Sequence, residues 1–288
     1  MTTKRALSIL GSLLAATGIA YVGYRLIQQA PELSLFTTAS LAALSTAACT
    51  YTAALYLLAL AWKRILNHLG IFPDLRWVLV CYSDYQVSKY VPGNVANIVG
   101  RQVQGARKGY EHKSLAFSTA IELAGMLLCC GVFWVMWLLL QADAGPAVSV
   151  LAGLACFSCA CLVVGFFGSR DLLVVGLCQM AFLAVSGAIF SGLVLWVAGD
   201  PLGQGASAVI PLICVFNAAW LVGVVTPGAP AGVGVRDGLL LSWTTAMIHS
   251  DKLAFVVLLS RLSTILGDLL FWLMVRFLAP KPSMERGS

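Results

Sequence analysis

Six charged residues lie within largely apolar stretches of this sequence. The cations are Arg101, Arg236 and Arg261, and the acids are Glu122, Asp237 and Asp268. Guanidinium groups bind phosphate oxygens in a bidentate manner, so arginines in an apolar setting are candidates for binding an anionic group. Carboxylates in the same setting could balance those cations or carry a coupling proton. The sequence does not choose between these two roles for the acids.

Two segments, residues 89–101 and 225–237, combine these charges with residues that break helices. The breaking residues are Pro92 and Gly93 in the first segment and Pro227, Gly228, Gly232 and Gly234 in the second. Such residues do not continue a regular helix. Irregular backbone persists at membrane depth only where protein or a water-filled cavity covers it. Because the N-terminus of a half-helix offers free N–H groups to an anion, we expect each break to lie at a binding site.

The helix expected after the first break has one polar face. Asn94, Asn97 and Arg101 follow steps of three and four residues, a spacing that places them on the same side of a helix. We expect this face to meet water and these three residues to contact a substrate. Lys89, just before the break, is either a further substrate ligand or an anchor whose long side chain reaches the membrane surface.

Arg236 and Asp237 begin the arm after the second break, either as part of a substrate site or as a local structural pair. Arg261 and Asp268 are seven residues apart in the last apolar stretch, so they share a helical face at about 10 Å of axial separation. Charges in such a position usually pair and mark a pathway. We expect each to pair with another element, with Glu122 and Arg236 as candidate partners. The alternative is a helix-locking ion pair without a substrate role.

The composition is that of an integral membrane protein. Of 288 residues, 60% are hydrophobic and 10% are charged, whereas soluble domains have about 25% charged residues. The whole chain, residues 1–288, is expected to form a single transmembrane domain. The net charge of +6 comes mainly from residues that flank apolar stretches, which the positive-inside bias explains without nucleic acid. The nine cysteines are interpreted as packing residues, and neither a metal nor a cofactor is expected.

Hydropathy predicts an all-α, polytopic architecture. About six full spans are expected, near residues 6–27, 38–62, 114–140, 147–167, 172–198 and 253–278. Two broken helical hairpins, near 72–110 and 206–249, are predicted to be re-entrant and to enter from opposite sides, as in inverted structural repeats. Basic flanks place both termini in the cytoplasm. A rival topology lets every arm cross, giving up to ten spans.

The two broken segments resemble the signatures of the lysylphosphatidylglycerol synthase transmembrane-region family, often called flippase-like membrane proteins. Residues 89–101 resemble a run of leucine or valine followed by Pro-Gly-Asn and closing on Gly-Arg. Residues 231–237 resemble Gly-Gly-hydrophobic-Gly-hydrophobic-Arg-Glu, with Ala231 in place of the first glycine and Asp237 in place of the glutamate. The similarity extends over nearly the whole chain, including Glu122 and the Ser-Arg-Leu that contains Arg261.

The resemblance implies the translocating half of such proteins, and a soluble aminoacyl-transfer domain is not expected. It implies a multi-pass protein of the bacterial inner membrane that moves a lipid with a charged or glycosylated head between leaflets. Candidate lipids are an anionic or aminoacylated phospholipid, a polyprenyl-phosphate carrier and a hopanoid-type lipid. A lipid transporter, and not an enzyme, is the leading expectation.

Two other classes of function remain open at this stage. An intramembrane lipid-modifying enzyme would need a nucleophile or a metal cluster, and the sequence shows no such constellation. A non-transporting accessory subunit would stabilise a partner synthase or glycosyltransferase. Alanine substitution of Arg101, Arg236 and Arg261 separates the last reading from transport, because an accessory subunit would tolerate it.

Overall fold

The computed structural model describes residues 37–89, 95–142, 145–167, 169–198, 205–226, 234–247 and 252–278. The described part of the chain is helical and contains no strand, so the all-α class is confirmed for it. The first expected span, near residues 6–27, lies outside the described residues. So do the break residues Pro92, Gly93, Pro227, Gly228 and Gly232.

Nine helices make up the described residues. They are α1 (Thr38–His68), α2 (Leu75–Ser88), α3 (Val95–Arg107), α4 (His112–Gln141), α5 (Gly145–Phe167), α6 (Arg170–Ala198), α7 (Gly205–Val225), α8 (Val235–Met247) and α9 (Leu253–Leu278). Side-chain capping starts two of them. Thr37 Oγ1 accepts the N–H of Ser40 at α1, and Asp74 Oδ2 accepts the N–H of Arg76 at α2, which satisfies donors that lack an intrahelical acceptor.

Five helices are long and apolar enough to cross a membrane. They are α1, α4, α6, α7 and α9, which we call the long apolar helices. This set fits a multi-pass membrane protein. Because α7 belongs to it, the described residues do not confirm that the segment near 206–249 is a re-entrant hairpin. The fourth expected span corresponds to α5, of which Gly145–Cys161 is an apolar stretch of shorter length.

Helices α2, α3 and α8 form a second class, the short helices. They contain 14, 13 and 13 residues, which corresponds to about 20 Å at 1.5 Å per residue. The hydrocarbon core of a bilayer is about 30 Å thick. None of the three is therefore long enough to cross it alone.

Helix α1 lies at the centre of the fold and packs along α6 and α9. Its inward side chains, among them Leu55, Ala59 and Trp62, are fully buried. The approach to α9 is closest at Gly267, where an added Cβ would lie 2.6 Å from Tyr51 Cδ1 and 3.0 Å from the Ala48 carbonyl oxygen. Glycine thus permits a helix contact that a side chain at this position would prevent.

The N-terminal end of α2 and the C-terminal end of α3, which we call the open ends of these helices, lie together at one end of the bundle. The ring of Trp77, in the first turn of α2, stacks on Trp62 of α1 with a centroid distance of 5.8 Å. The same ring packs edge-on against Tyr110, which follows α3, at 5.4 Å, and lies 5.5 Å from Lys108 Nζ. Helix α2 therefore runs away from this end and α3 returns to it.

The N-terminal end of α7 and the C-terminal end of α8 lie at the opposite end of the bundle. Ser191, near the C-terminus of α6, donates to the carbonyl of Val209 in the first turns of α7 at 3.5 Å. The indole of Trp243 on α8 stacks at 5.0 Å on Trp137, near the C-terminus of α4. The start of α7 and the end of α8 thus lie on the side of the bundle opposite to Trp77.

Candidate functional site

Three well-buried ion pairs each join a short helix, or the residue that ends it, to a long apolar helix. Arg101 on α3 pairs with Glu122 on α4. Lys89, directly after α2, pairs with Asp268 on α9. Asp237 on α8 pairs with Arg261, also on α9. The charged residues singled out in the sequence thus come together where the broken segments meet the long helices.

The Arg101–Glu122 pair is the most deeply buried of the three. Arg101 Nη1 lies 2.7 Å from Glu122 Oε2, and the side chains are 3% and 11% exposed. Tyr82 on α2 donates its hydroxyl to the other carboxylate oxygen at 2.9 Å. Both oxygens of Glu122 therefore accept hydrogen bonds, which offsets the cost of burying its charge.

Aromatic rings surround the Arg101 guanidinium. Its Cζ lies 4.1 Å from the centroid of the Tyr85 ring, 5.0 Å from that of Trp62 and 5.4 Å from that of Tyr82. Cations attract the electron-rich faces of such rings, more strongly when both are removed from water. The expectation that this face of α3 meets water is wrong at Arg101, because the guanidinium has replaced water with a carboxylate and aromatic faces.

The Lys89–Asp268 pair ties the end of α2 to α9. Lys89 Nζ lies 2.7 Å from Asp268 Oδ2 and donates to Gln86 Oε1 at 2.9 Å. The Asp268 side chain is 1% exposed, so its charge is held inside the protein. Lys89 therefore points into the bundle towards this acid, and its side chain does not act as an anchor at the membrane surface.

The start of α8 carries the third cluster. Asp237 Oδ2 lies 3.6 Å from Arg261 Nε and accepts the N–H of Gly234 at 3.3 Å. Gly234 adopts a φ of +84°, a backbone conformation that glycine reaches without strain. Arg236 is buried, with its Cζ 4.4 Å from the ring centroid of Phe216 on α7. The start of α8 thus holds the Arg236 guanidinium against α7 and the Asp237 carboxylate against α9.

Helix α9 connects the two broken segments through Arg261 and Asp268. The prediction that each of these residues pairs with another element is confirmed, with Asp237 and Lys89 as the partners, whereas the candidate partner Glu122 pairs with Arg101 instead. Tyr51 of α1 lies within electrostatic range of Arg236, Arg261 and Asp268. Charges from both broken segments are therefore gathered along one stretch of α9, opposite α1.

Asp84 is a functional candidate that the sequence analysis missed. Its Oδ1 accepts from Arg276 at 2.6 Å and from the Trp272 indole at 2.9 Å, and its Oδ2 accepts from Gln104 at 3.1 Å. One carboxylate thus joins α2, α3 and α9. The available signal was an acid in an otherwise apolar helix, but its partner Arg276 is 192 residues away in sequence.

Several predicted ligands lie where their surroundings are not described. Asn94 is outside the described residues, and only the backbone of Asn97 is described, as part of α3. Among the residues that are described, no group of three histidine, cysteine, aspartate or glutamate side chains could hold a metal ion. The described cysteines are free thiols, and five of them are buried: Cys81, Cys129, Cys130, Cys178 and Cys214.

No protein-family model matches the sequence, and a search of curated proteins finds no match. The geometry of the ion pairs is therefore the main basis for inferring a function.

Proposed function

We propose that this protein is a membrane lipid transporter that moves a charged or glycosylated headgroup between leaflets. The observation that carries the proposal is the set of three buried ion pairs between short helices and long apolar helices. Burying a charge in an apolar environment is expensive. A purely structural role would be served as well by apolar packing, which is often equally or more stabilising.

The chemistry of the pairs suits the passage of a lipid headgroup. A phosphate entering the polar region would compete with Glu122 for Arg101, or with Asp237 for Arg261, because guanidinium binds carboxylate and phosphate in similar geometry. Exchange of partners keeps each charge neutralised along the way, so that the headgroup never meets the hydrocarbon as an isolated ion. The lipid chains remain in the bilayer beside the bundle.

The helix directions support two broken segments that approach from opposite sides. The open ends of α2 and α3 lie together beside Trp77, and the end of α8 lies beside Trp137 at the other side. We propose that α2 and α3 form a re-entrant hairpin. The segment containing α7 and α8 forms its counterpart, with α7 of spanning length and α8 short. Such pairs of broken helices form the substrate sites of transporters with inverted repeats.

The class of lipid is inferred from the charges at the site and from the resemblance of the two broken segments to the flippase-like family. Arginines favour a phosphate-bearing head, as in an anionic phospholipid or a polyprenyl-phosphate-linked lipid, and a hopanoid-type lipid is the uncharged candidate. The resemblance implies the bacterial inner membrane, with both termini in the cytoplasm. A synthase or glycosyltransferase that supplies or consumes the lipid is the expected partner.

Headgroup accessibility in proteoliposomes tests this proposal. The full chain is reconstituted, fluorescent lipids with anionic, zwitterionic and glycosylated heads are placed in one leaflet, and an impermeant quencher reports their appearance in the other. We expect the protein to accelerate at least one lipid class, and Arg101→Ala and Arg236→Ala to abolish the acceleration. Arg64→Gln is the control, because Arg64 forms a more exposed pair with Asp171. No acceleration for any class relative to empty vesicles would refute transport.

A further inference from the structure

A separate apolar pocket lies between α4, α5 and α6, on the outer side of Gln179 from the Arg101–Glu122 pair. Its volume is about 250 Å³, and it is lined by small and apolar side chains that include Ala124, Leu128, Phe157 and Ala160. An apolar cavity of about 150 Å³ already accommodates benzene, whereas pockets for drug-sized molecules begin at about 300 Å³. The pocket therefore has room for a segment of one lipid chain and not for a whole lipid.

The pocket opens on a face of the bundle that is suited to hydrocarbon. Leu128, which lines it, is 71% exposed, and Leu154, one turn before the lining residue Phe157, is also exposed. Water is a poor occupant, since a buried water needs two to four polar partners. Among the described lining residues only Gln179 carries a side-chain amide; its Nε2 donates to the carbonyl oxygen of Glu122 at 2.9 Å, and its Oε1 is a single remaining acceptor, fewer than a buried water needs.

Small residues create the pocket at its inner wall. Gln179 is fully buried and its amide lies against Gly125, where an added Cβ would overlap Oε1. The bond from Gln179 to the backbone of Glu122 closes the pocket towards the Arg101–Glu122 pair. A chain in this pocket is thus next to the proposed headgroup path but separated from it by one side chain.

Two exposed cations, Lys113 and Arg170, lie at the end of the bundle where α4 and α6 begin, next to the pocket. Arg170 begins α6 one turn before Leu173, which lines the pocket. Lys113 on α4 is followed at positions four, eight and eleven residues later by Phe117, Ile121 and Ala124, so all four share one helical stripe. Trp62 of α1 donates to Ser118 of α4, and Arg64 of α1 pairs with Asp171 of α6, which places the starts of α4 and α6 together.

The balance of charge at this end favours an anion. Asp171 is compensated by Arg64 at 3.1 Å, while Glu111 accepts a hydrogen bond from Ser114 at 3.0 Å. Basic residues that flank helices on one side of a membrane attract anionic headgroups. The pocket therefore matches one acyl chain of a lipid in size, and the two cations lie where the headgroup of that lipid would be.

The geometry points to a binding site for an anionic phospholipid, with one chain in the pocket between α4, α5 and α6 and its phosphate beside Lys113 and Arg170. This inference goes beyond the transport proposal and does not depend on it, because a lipid bound here is a resident of the protein's outer surface. Its occupancy would fix the mutual position of the three helices, and through Gln179 the backbone of Glu122.

Photo-crosslinking with matched lipids tests the site. The purified chain is placed in phosphatidylcholine nanodiscs that contain a small fraction of phosphatidylglycerol or phosphatidylcholine with the same diazirine-bearing chain, and cross-linked peptides are mapped by mass spectrometry. We expect cross-links in residues 121–132, 157–161 and 172–179 to exceed those at the lipid-exposed Leu151 and Leu154, and phosphatidylglycerol to label more than phosphatidylcholine.

Two sets of variants separate the tail from the head. Ala160→Trp fills the pocket from an exposed position and should lower cross-linking of both probes several-fold, whereas Ala155→Trp, exposed on the same helix outside the pocket lining, should not. Lys113→Gln and Arg170→Gln should each lower labelling by phosphatidylglycerol about fivefold and spare phosphatidylcholine. Arg107→Gln, an exposed cation on α3, is the matched control.

The inference has two clear ways to fail. Labelling of the three segments that is no stronger than that of Leu151 and Leu154, or that Ala160→Trp leaves unchanged, would overturn the pocket as a chain site. Equal labelling by the two probes in the unaltered protein would overturn the assignment of an anionic head.

Discussion

At the scale of single residues, Arg101 and Glu122 depend on each other. The guanidinium is enclosed by Trp62, Tyr82 and Tyr85, and the carboxylate accepts from both Arg101 and Tyr82. Removal of one partner leaves the other as an uncompensated buried charge, which costs far more than the pair contributes. A loss of stability in a single variant of this pair is therefore interpreted beside the double variant that removes both charges.

Glu122→Gln should destabilise the protein by about 3–5 kcal/mol, because it leaves the Arg101 guanidinium buried without a counter-charge. The double variant Arg101→Leu/Glu122→Leu should recover much of that loss, since it removes both charges. The fraction of protein that stays monodisperse after heating in detergent measures these differences.

The control for this comparison is Asp171→Asn. Its partner Arg64 is 42% exposed, and an exposed pair contributes about 0–1 kcal/mol. If the control lost as much stability as Glu122→Gln, burial would not be the reason for the effect. A double variant less stable than Glu122→Gln would contradict the charge argument.

At the scale of helices, α9 is the element that links the two broken segments. It carries Arg261 and Asp268, and it packs on α1 through Gly267, beside Asp268. The ion pairs that connect α8 to α9, and α9 to the end of α2, depend on that close packing. The position of α9 should therefore be sensitive to small changes at residue 267.

Gly267→Ala should destabilise the protein by about 1–3 kcal/mol, because the new methyl group meets Tyr51 and the backbone of Ala48. Gly192→Ala on α6 is the matched substitution, since an added Cβ there has no neighbour within 4 Å. It should stabilise the helix by about 0.5–1 kcal/mol. Thermal unfolding in detergent distinguishes the two, and equal effects would contradict the close contact between α1 and α9.

Labelling from the two sides of a vesicle tests the direction of the short helices. Phe72→Cys before α2 and Arg107→Cys at the end of α3 should react with an impermeant maleimide from the same side, because Trp77 lies near Lys108 and Tyr110. Lys252→Cys, at the start of α9, should react from the other side. Reaction of positions 72 and 107 from opposite sides would show that this segment crosses the membrane.

The sequence predicted the classes of these elements better than their contacts. Hydropathy and Pro-Gly breaks suffice to separate the long apolar helices from α2, α3 and α8, because they depend on local composition. The partner of a buried charge depends on how helices pack. Nothing near Asp84 in sequence indicates Arg276, and the step pattern that put Arg101 on a polar face could not tell water from a cage of aromatic rings. The bounds of α7 agree with the apolar arm expected near residues 206–225, because they too follow from local composition.

At the scale of the whole molecule, the ion pairs form a connected arrangement and not three isolated locks. Asp268 and Arg261 lie along one helix, Tyr51 lies within electrostatic range of both and of Arg236, and the Arg101 cage is joined to the same region through α2. A lipid headgroup that moved along this arrangement would find a charged partner at each stage.

The most direct test compares transport by variants that neutralise one acid each at unchanged shape. In proteoliposomes containing equal amounts of folded protein, Asp237→Asn and Asp268→Asn should each slow headgroup movement at least tenfold, while Asp171→Asn, outside the path, should transport at the unaltered rate. Transport that survives neutralisation of both Asp237 and Asp268 would contradict a headgroup path between the short helices and α9.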